Sequence, residues 1–167
     1  MQKEIVVYNS LMAELLEKLD LTNCPPDDRF PVRKAVTQNG CPYWRIKQFC
    51  LPSIPAKGKG IELSWTEWDG NEVWLSDGED IKELLYQGLR VLAAWRKMLM
   101  EVSPETEFDL LLSLDLAEDA ELNVPPSVTL RFWAVRDGFH CVTPTKENLE
   151  QFAQPVWIET INHKIAE

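Results

Sequence analysis

Apolar positions recur along this chain with two different periods, and the points where the period changes divide it into elements. Leu11, Leu15, Leu16 and Leu19 repeat at helical spacing, and Ser10 stands where an N-cap belongs, so residues 5–20 are predicted to form a first helix. That helix stops before Cys24-Pro25-Pro26, because a proline turns the preceding residue away from helical backbone angles. Residues 22–31 then read as a loop. Val32–Leu51 has β character, with a turn near Gln38-Asn39-Gly40. Pro52–Gly60 holds two prolines, two glycines and two lysines and reads as an exposed loop.

Two hairpins are predicted next, each around an Asp-Gly pair that tolerates the positive backbone angles of a tight turn. The first pairs Ile61–Thr66 with Glu72–Leu75 around Asp69-Gly70, since Ile61, Leu63 and Trp65 alternate with Glu62, Ser64 and Thr66. The second pairs Val128–Val135 with Phe139–Val142 around Asp137-Gly138. Val128, Leu130, Phe132 and Ala134 would face the core, and Thr129, Arg131, Trp133 and Val135 would face away.

Between the hairpins lies the longest predicted helix, about 79–101. Ser76-Asp77-Gly78-Glu79 resembles a capping box, and Ile81, Leu84, Leu85, Leu92, Trp95 and Leu99 form the apolar stripe. Gly88 interrupts that stripe at a cost of about 1 kcal/mol in helix propensity, and close approach of the helix to a sheet would offset it. Ser103-Pro104 ends the helix. Phe108, Leu110, Leu112, Leu114 and Leu116 then alternate with Asp109, Leu111, Ser113 and Asp115, the pattern of a central strand. Ala117–Pro126 is an acidic loop. A last helix, 145–163, starts at Thr145 and is kinked by Pro155. The order of elements fits one α+β domain over 1–167, with a mainly antiparallel sheet built from hairpins and helices packed on one face.

Composition narrows the class. A chain of 167 residues, 45% hydrophobic and 26% charged, has the makings of a soluble globular domain. Met1–Tyr8 carries Lys3 and Glu4 with no long apolar run behind it, so no signal peptide is expected. No stretch approaches the roughly 18 apolar residues of a membrane helix, and the expectation is a cytoplasmic protein without membrane contact. Cys24, Cys41, Cys50 and Cys141 form no CxxC pair and read as reduced thiols.

Charge is sorted along the chain. Seven basic residues and no acid fall between Arg29 and Lys59; seven acids and no base fall between Gly60 and Ile81. Eight more acids, again without a base, fall between Met98 and Leu130. The net charge of −10 opposes binding to nucleic acid or an anionic membrane. The basic block interleaves Tyr43, Trp44 and Phe49 with Arg45 and Lys47, as a single-strand nucleic-acid platform would. In so acidic a chain it reads instead as a surface strand whose charges pair with the acidic blocks, within one chain or across a homodimer.

No catalytic, metal or cofactor residue is assigned. There is no GxGxxG, GxxxxGK[ST], GxSxG or HExxH. His140-Cys141 are adjacent and would point to opposite faces of a strand, and no Asn or Asp is sequentially placed to orient the imidazole, which disfavours both chelation and thiol catalysis. The functional residues expected are an acidic docking surface, Glu101, Glu105, Glu107, Asp109, Asp115, Glu118, Asp119 and Glu121, anchored by Trp68 and Trp133. Trp74 falls on the same less apolar side, whereas Trp44, Trp65, Trp95 and Trp157 read as core. Small, acidic, Trp-rich chains without a catalytic constellation have the profile of bacterial immunity and antitoxin-type inhibitors. The leading expectation is thus a protein that occludes the basic active-site groove of a toxin, such as a nuclease. A ligand-binding or enzymatic α+β domain is the alternative, and a self-associating structural subunit is the third reading.

Overall fold

The computed structural model describes residues 2–49, 58–76, 80–116 and 125–165. In chain order the elements are β1 (Gln2–Tyr8), α1 (Ser10–Leu16), β2 (Val32–Val36), β3 (Pro42–Ile46), α2 (Ile61–Gly70) and β4 (Glu72–Leu75). They continue with α3 (Ile81–Val102), β5 (Phe108–Asp115), β6 (Ser127–Ala134), α4 (Lys146–Leu149) and β7 (Val156–Lys164). Five strands form one antiparallel sheet in the order β1-β7-β5-β6-β4, and β2 and β3 form a separate antiparallel hairpin. The fold is α+β.

The helix α3 packs along one face of the sheet. Leu84, Leu85, Leu92, Trp95 and Leu99 meet Leu110, Leu112, Val128, Leu130 and Phe132, and Met12 of α1 joins the same core. A methyl group at Gly88 would lie 2.8 Å from Leu112 Cδ1 and 3.1 Å from Val128 Cγ2, so the close approach expected of this glycine is present. The N-cap of α3 is Asp80, whose carboxylate accepts the Glu83 N–H at 2.8 Å. Asp77, Gly78 and Glu79 of the anticipated capping box lie outside the described residues.

Four expected elements differ. Residues 5–8 are strand, not helix: the β-branched run of β1 pairs with β7, and Asn9 starts α1 by accepting the Met12 N–H at 3.0 Å. Ile61–Thr66 is helical because the inward positions of α2, Leu63, Ser64 and Glu67, follow helical spacing, and two of the three are polar. The turn at Asp137-Gly138 exists, with φ of 54° and 70°, but pairing stops at one bridge between Arg136 and Phe139. The helix begun at Thr145 ends at Leu149, and Val156–Lys164, rich in β-branched and aromatic residues, is the strand β7 between β1 and β5.

Register lays out the opposite face of the sheet, called here the outer face, as three rows. Trp133, Asp109 and Thr160 are neighbours across β6, β5 and β7; Glu72, Arg131, Leu111 and Ile158 form the second row. Trp74, Thr129, Ser113 and Val156 form the third. Trp68, Leu149 and Phe152 cover the outer face around Trp133 and Ile158. The third row is left as an open groove.

Candidate binding surface

A buried polar knot sets the orientation of α2. Both carboxylate oxygens of Glu67 are used: they accept the N–H groups of Trp44 and Ala134, each at 2.9 Å, and both terminal nitrogens of Arg136, at 2.6 and 3.1 Å. Ser64 donates to the Ala134 carbonyl at 2.7 Å. Asn71, one residue past the helix, accepts from Ile46 N–H and donates to the Trp44 carbonyl. Burial pushes the Glu67 carboxyl above its ordinary range, and Arg136 and the two amides pull it back. At Gly70 a side chain would collide with the Arg45 guanidinium, 1.4 Å from an added Cβ.

With its polar side turned inward, α2 presents apolar residues outward. Ile61 and Trp65 are 44% and 43% exposed, one turn apart. Trp68 completes the stripe, its ring centroid 6.0 Å from that of Trp65 and 5.1 Å from that of buried Trp133. Acids rim this stripe: Glu62 and Asp69 are exposed on α2 itself. The surface continues onto the sheet. The Arg131 guanidinium stacks 4.6 Å from the Trp68 ring centroid and pairs with Glu72 at 2.7 Å. Two residues further along β4, on the same side, Trp74 is 57% exposed.

Beside Trp74 lies a groove of about 510 Å³, lined by Glu72, Trp74, Ser113, Asp115, Thr129 and Gln154 among others. A second hollow of about 290 Å³ shares Glu72, Ser113, Thr129 and Gln154 and reaches Trp68 and Arg131. The two are parts of one depression along the outer face.

Among the described residues, the acids expected to form one surface differ in exposure and partners. Asp109 does face the outer side, as the alternation implied, but it is fully buried: it accepts from Thr160 Oγ1 at 2.7 Å and bonds His140 Nδ1 at 2.6 Å. Glu107 bonds His163 Nδ1 at 3.0 Å. Glu105 is exposed, and its own backbone N–H together with the Ser103 hydroxyl, which donates to it, holds its carboxyl below the usual range. Glu101 and Asp115 are exposed, and Asp115 lies in the groove. Glu118, Asp119 and Glu121 lie outside the described residues. Of the two anchors, Trp68 sits in the surface stripe, whereas Trp133 is fully buried beneath it and cannot touch a partner. Trp65, expected in the core, is at the surface, because the inward side of α2 is taken by Ser64 and Glu67.

Burial, with Asp109 nearby, pushes the Cys141 thiol up to about 12, so it stays protonated at neutral pH and is a poor nucleophile. The Asp109 hydrogen bond raises the His140 imidazole above its ordinary value. Among the described residues no group of three His, Cys, Asp or Glu side chains is placed to hold a metal ion. Among the same residues no helix is long and apolar enough to cross a membrane. Tyr43 and Trp44 of the basic block are buried, so neither ring is available to stack on a base. The residues that sequence reasoning missed, Glu62, Trp65 and Glu72, all belong to the acidic block 60–81, as does Trp74, which was placed with the less apolar side. The signal that could have found them was the coincidence of three Trp with seven acids there. No family model, curated protein or solved structure matches the chain.

Proposed function

We propose that this is a binding protein of the inhibitor type, which docks a basic protein partner on the surface formed by α2, β4 and the outer-face groove. The observation that carries this reading is the reversed helix α2. Its polar side is fixed inward by Glu67 and Arg136, and Ile61 and Trp65 are exposed on its outward side, beside half-buried Trp68, inside an acidic rim. Exposed aromatic residues of this size are costly to hydrate and serve as anchors once a partner excludes water from them. The acids would accelerate encounter with a cationic surface and make it sensitive to salt. A partner whose active site is a basic groove, such as a nuclease toxin, would be blocked by occlusion, with no chemistry required of this chain.

The test is an affinity capture from the protein's own host at low salt and at about half-molar salt, where exposed charges are largely screened. Wild type is compared with Trp65→Ala. Support would be one stoichiometric basic protein, held by the wild type at low salt, weakened at high salt and lost with Trp65→Ala. Capture that survives both the salt and the substitution would sink the reading.

A further inference from the structure

We infer that the groove beside Trp74 is a binding site for a short, uncharged oligosaccharide of gluco-configured pyranose units. Such a ligand needs no protein partner, so the site stands apart from the docking reading although it shares Trp74 with it.

The groove is built on one face of three strands. Trp74, Thr129 and Ser113 stand side by side across β4, β6 and β5, and Ser127 pairs with Asp115 in the next row. Gln154, just ahead of β7, lines it as well. Its two acids are engaged within the fold: Glu72 pairs with Arg131 at 2.7 Å, and Asp115 has a contact of its own. What the groove leaves open is therefore uncharged. Among the described residues, no hydrogen bond engages the hydroxyls of Ser113, Ser127 and Thr129 or the side-chain amide of Gln154. Ser127 is only 6% exposed, so its hydroxyl lines the groove with little access to water elsewhere. No ring or cation stacks on Trp74, which is 57% exposed.

These open groups match a sugar. A pyranose with equatorial hydroxyls carries its C–H bonds in two flat apolar faces and its O–H groups around the edge. One face can lie on the Trp74 indole, burying apolar area against the electron-rich ring. The edge then meets hydroxyls and an amide, each with donor and acceptor capacity, as the sugar's own hydroxyls have. Cross-strand neighbours stand about 5 Å apart, so the Thr129 hydroxyl falls beside the ring and that of Ser113 one strand further on. A wholly apolar ligand would strand these polar groups, and an anionic one would meet a chain of net charge −10. At about 510 Å³ the groove has room for a short chain of rings rather than a single one.

The test uses the full chain and three neutral probes, cellotriose, maltotriose and triacetylchitotriose, with trigalacturonate as the charged control. Backbone and indole N–H chemical shifts are followed during titration to about 10 mM, well above a millimolar dissociation constant. The Trp74 indole signal is assigned by its loss in Trp74→Ala. The expected result is saturable movement of that signal and of the Ser113 and Thr129 amides with at least one neutral trisaccharide, and little movement with trigalacturonate. Trp74→Ala should weaken the sugar at least about tenfold, read at the Thr129 amide, and Ser113→Ala should weaken it about threefold. Neither side chain has a bond within the fold, so both variants should keep the wild-type Tm, which separates lost binding from lost structure. No movement with any of the three neutral sugars, equal binding of trigalacturonate, or an affinity unchanged in Trp74→Ala overturns the inference. Movement confined to Trp65 and α2 would place the sugar elsewhere and overturns it as well. Capture of a protein partner that depends on Trp65 is untouched by any of these results, so the docking reading stands or falls separately.

Discussion

The perturbation that probes the architecture of the surface most sharply is Glu67→Ala. Four donors converge on the Glu67 carboxylate: two backbone N–H groups and both terminal nitrogens of Arg136. Truncation orphans them all. Each buried amide left without an acceptor costs about 1–3 kcal/mol, and a buried cation stripped of its partner costs about 3–5 kcal/mol. These penalties share one cavity and one solvent path, so they do not add in full. The expected loss is about 5 kcal/mol, a large part of the stability of a domain this size. For a chain of this length each kcal/mol moves the midpoint by about 2–4 °C, so Tm should fall by about 10–20 °C. Urea unfolding followed by circular dichroism gives the free energy directly. Glu67→Gln keeps two acceptor lone pairs and should lose about half as much. The double variant Glu67→Ala/Arg136→Ala should be little worse than Glu67→Ala alone, since the second change removes the stranded cation. A loss under about 1 kcal/mol, or strictly additive single effects, would refute the claim that this pair orients α2.

Four further outcomes are expected. Trp65→Ala should change stability by less than about 1 kcal/mol, because the ring is half in solvent, yet weaken partner binding by about 2 kcal/mol or more, read by calorimetry on the captured complex. Trp133→Ala should show the reverse emphasis, with about 3–5 kcal/mol lost in urea unfolding, because the side chain is fully buried under Trp68. Gly88→Val should destabilise by about 2 kcal/mol, since the added methyls meet Leu112 and Val128 in a close-packed interior; an unchanged Tm would contradict the close approach. Stability should fall as pH rises from about 5 to 8. Burial raises the Glu159 carboxyl to about 7, so the folded state holds a proton that the unfolded chain has released above its ordinary value near 4.5. His140, raised by Asp109, contributes stability that is whole below 6.5 and disappears as pH climbs through its folded value. Glu159→Gln should flatten the lower part of that slope and His140→Gln the upper part, in unfolding curves measured pH by pH.

What could be read from the chain depended on whether a local period agreed with burial. In α3 it did: an apolar stripe, an acidic start, a serine-proline stop and a glycine facing the sheet all point the same way, and the helix lies within two residues of its expected ends. The strands β5 and β6 were legible for the same reason, down to the side on which Trp133 and Asp109 fall. The reading failed where tertiary contacts overrode the pattern. In α2 two of the three buried positions are a serine and a glutamate, hydrogen-bonded to β3, β6 and Arg136, so Leu63 alone is too little apolar periodicity to mark the inward face. Asn9, directly after β1, and Thr145, at the start of α4 ahead of β7, are genuine helix caps, and the helical signal they give does not mark where the neighbouring strands begin or end.

The acids expected to form one surface are divided between the interior and the exterior of the fold. A charge block records how many acids a segment carries, not which of them are spent inside the fold. Asp109 is consumed by His140 and Thr160, and Glu107 by His163. Glu62, Asp69 and Glu72 stay at the surface beside exposed tryptophans. The acidic segment 60–81 therefore keeps Glu62, Asp69 and Glu72 exposed beside Trp65 and Trp74, whereas in 101–121 Asp109 and Glu107 are engaged by contacts within the fold.

The most direct measurement of the proposed docking surface is amide hydrogen exchange on the isolated complex against the free protein. Protection on binding is expected in α2, Ile61–Gly70, and in β4, Glu72–Leu75, the latter an edge strand of its sheet. Protection confined to β1 at the opposite edge, or to the solvent side of α3, with α2 and β4 unchanged, would contradict it.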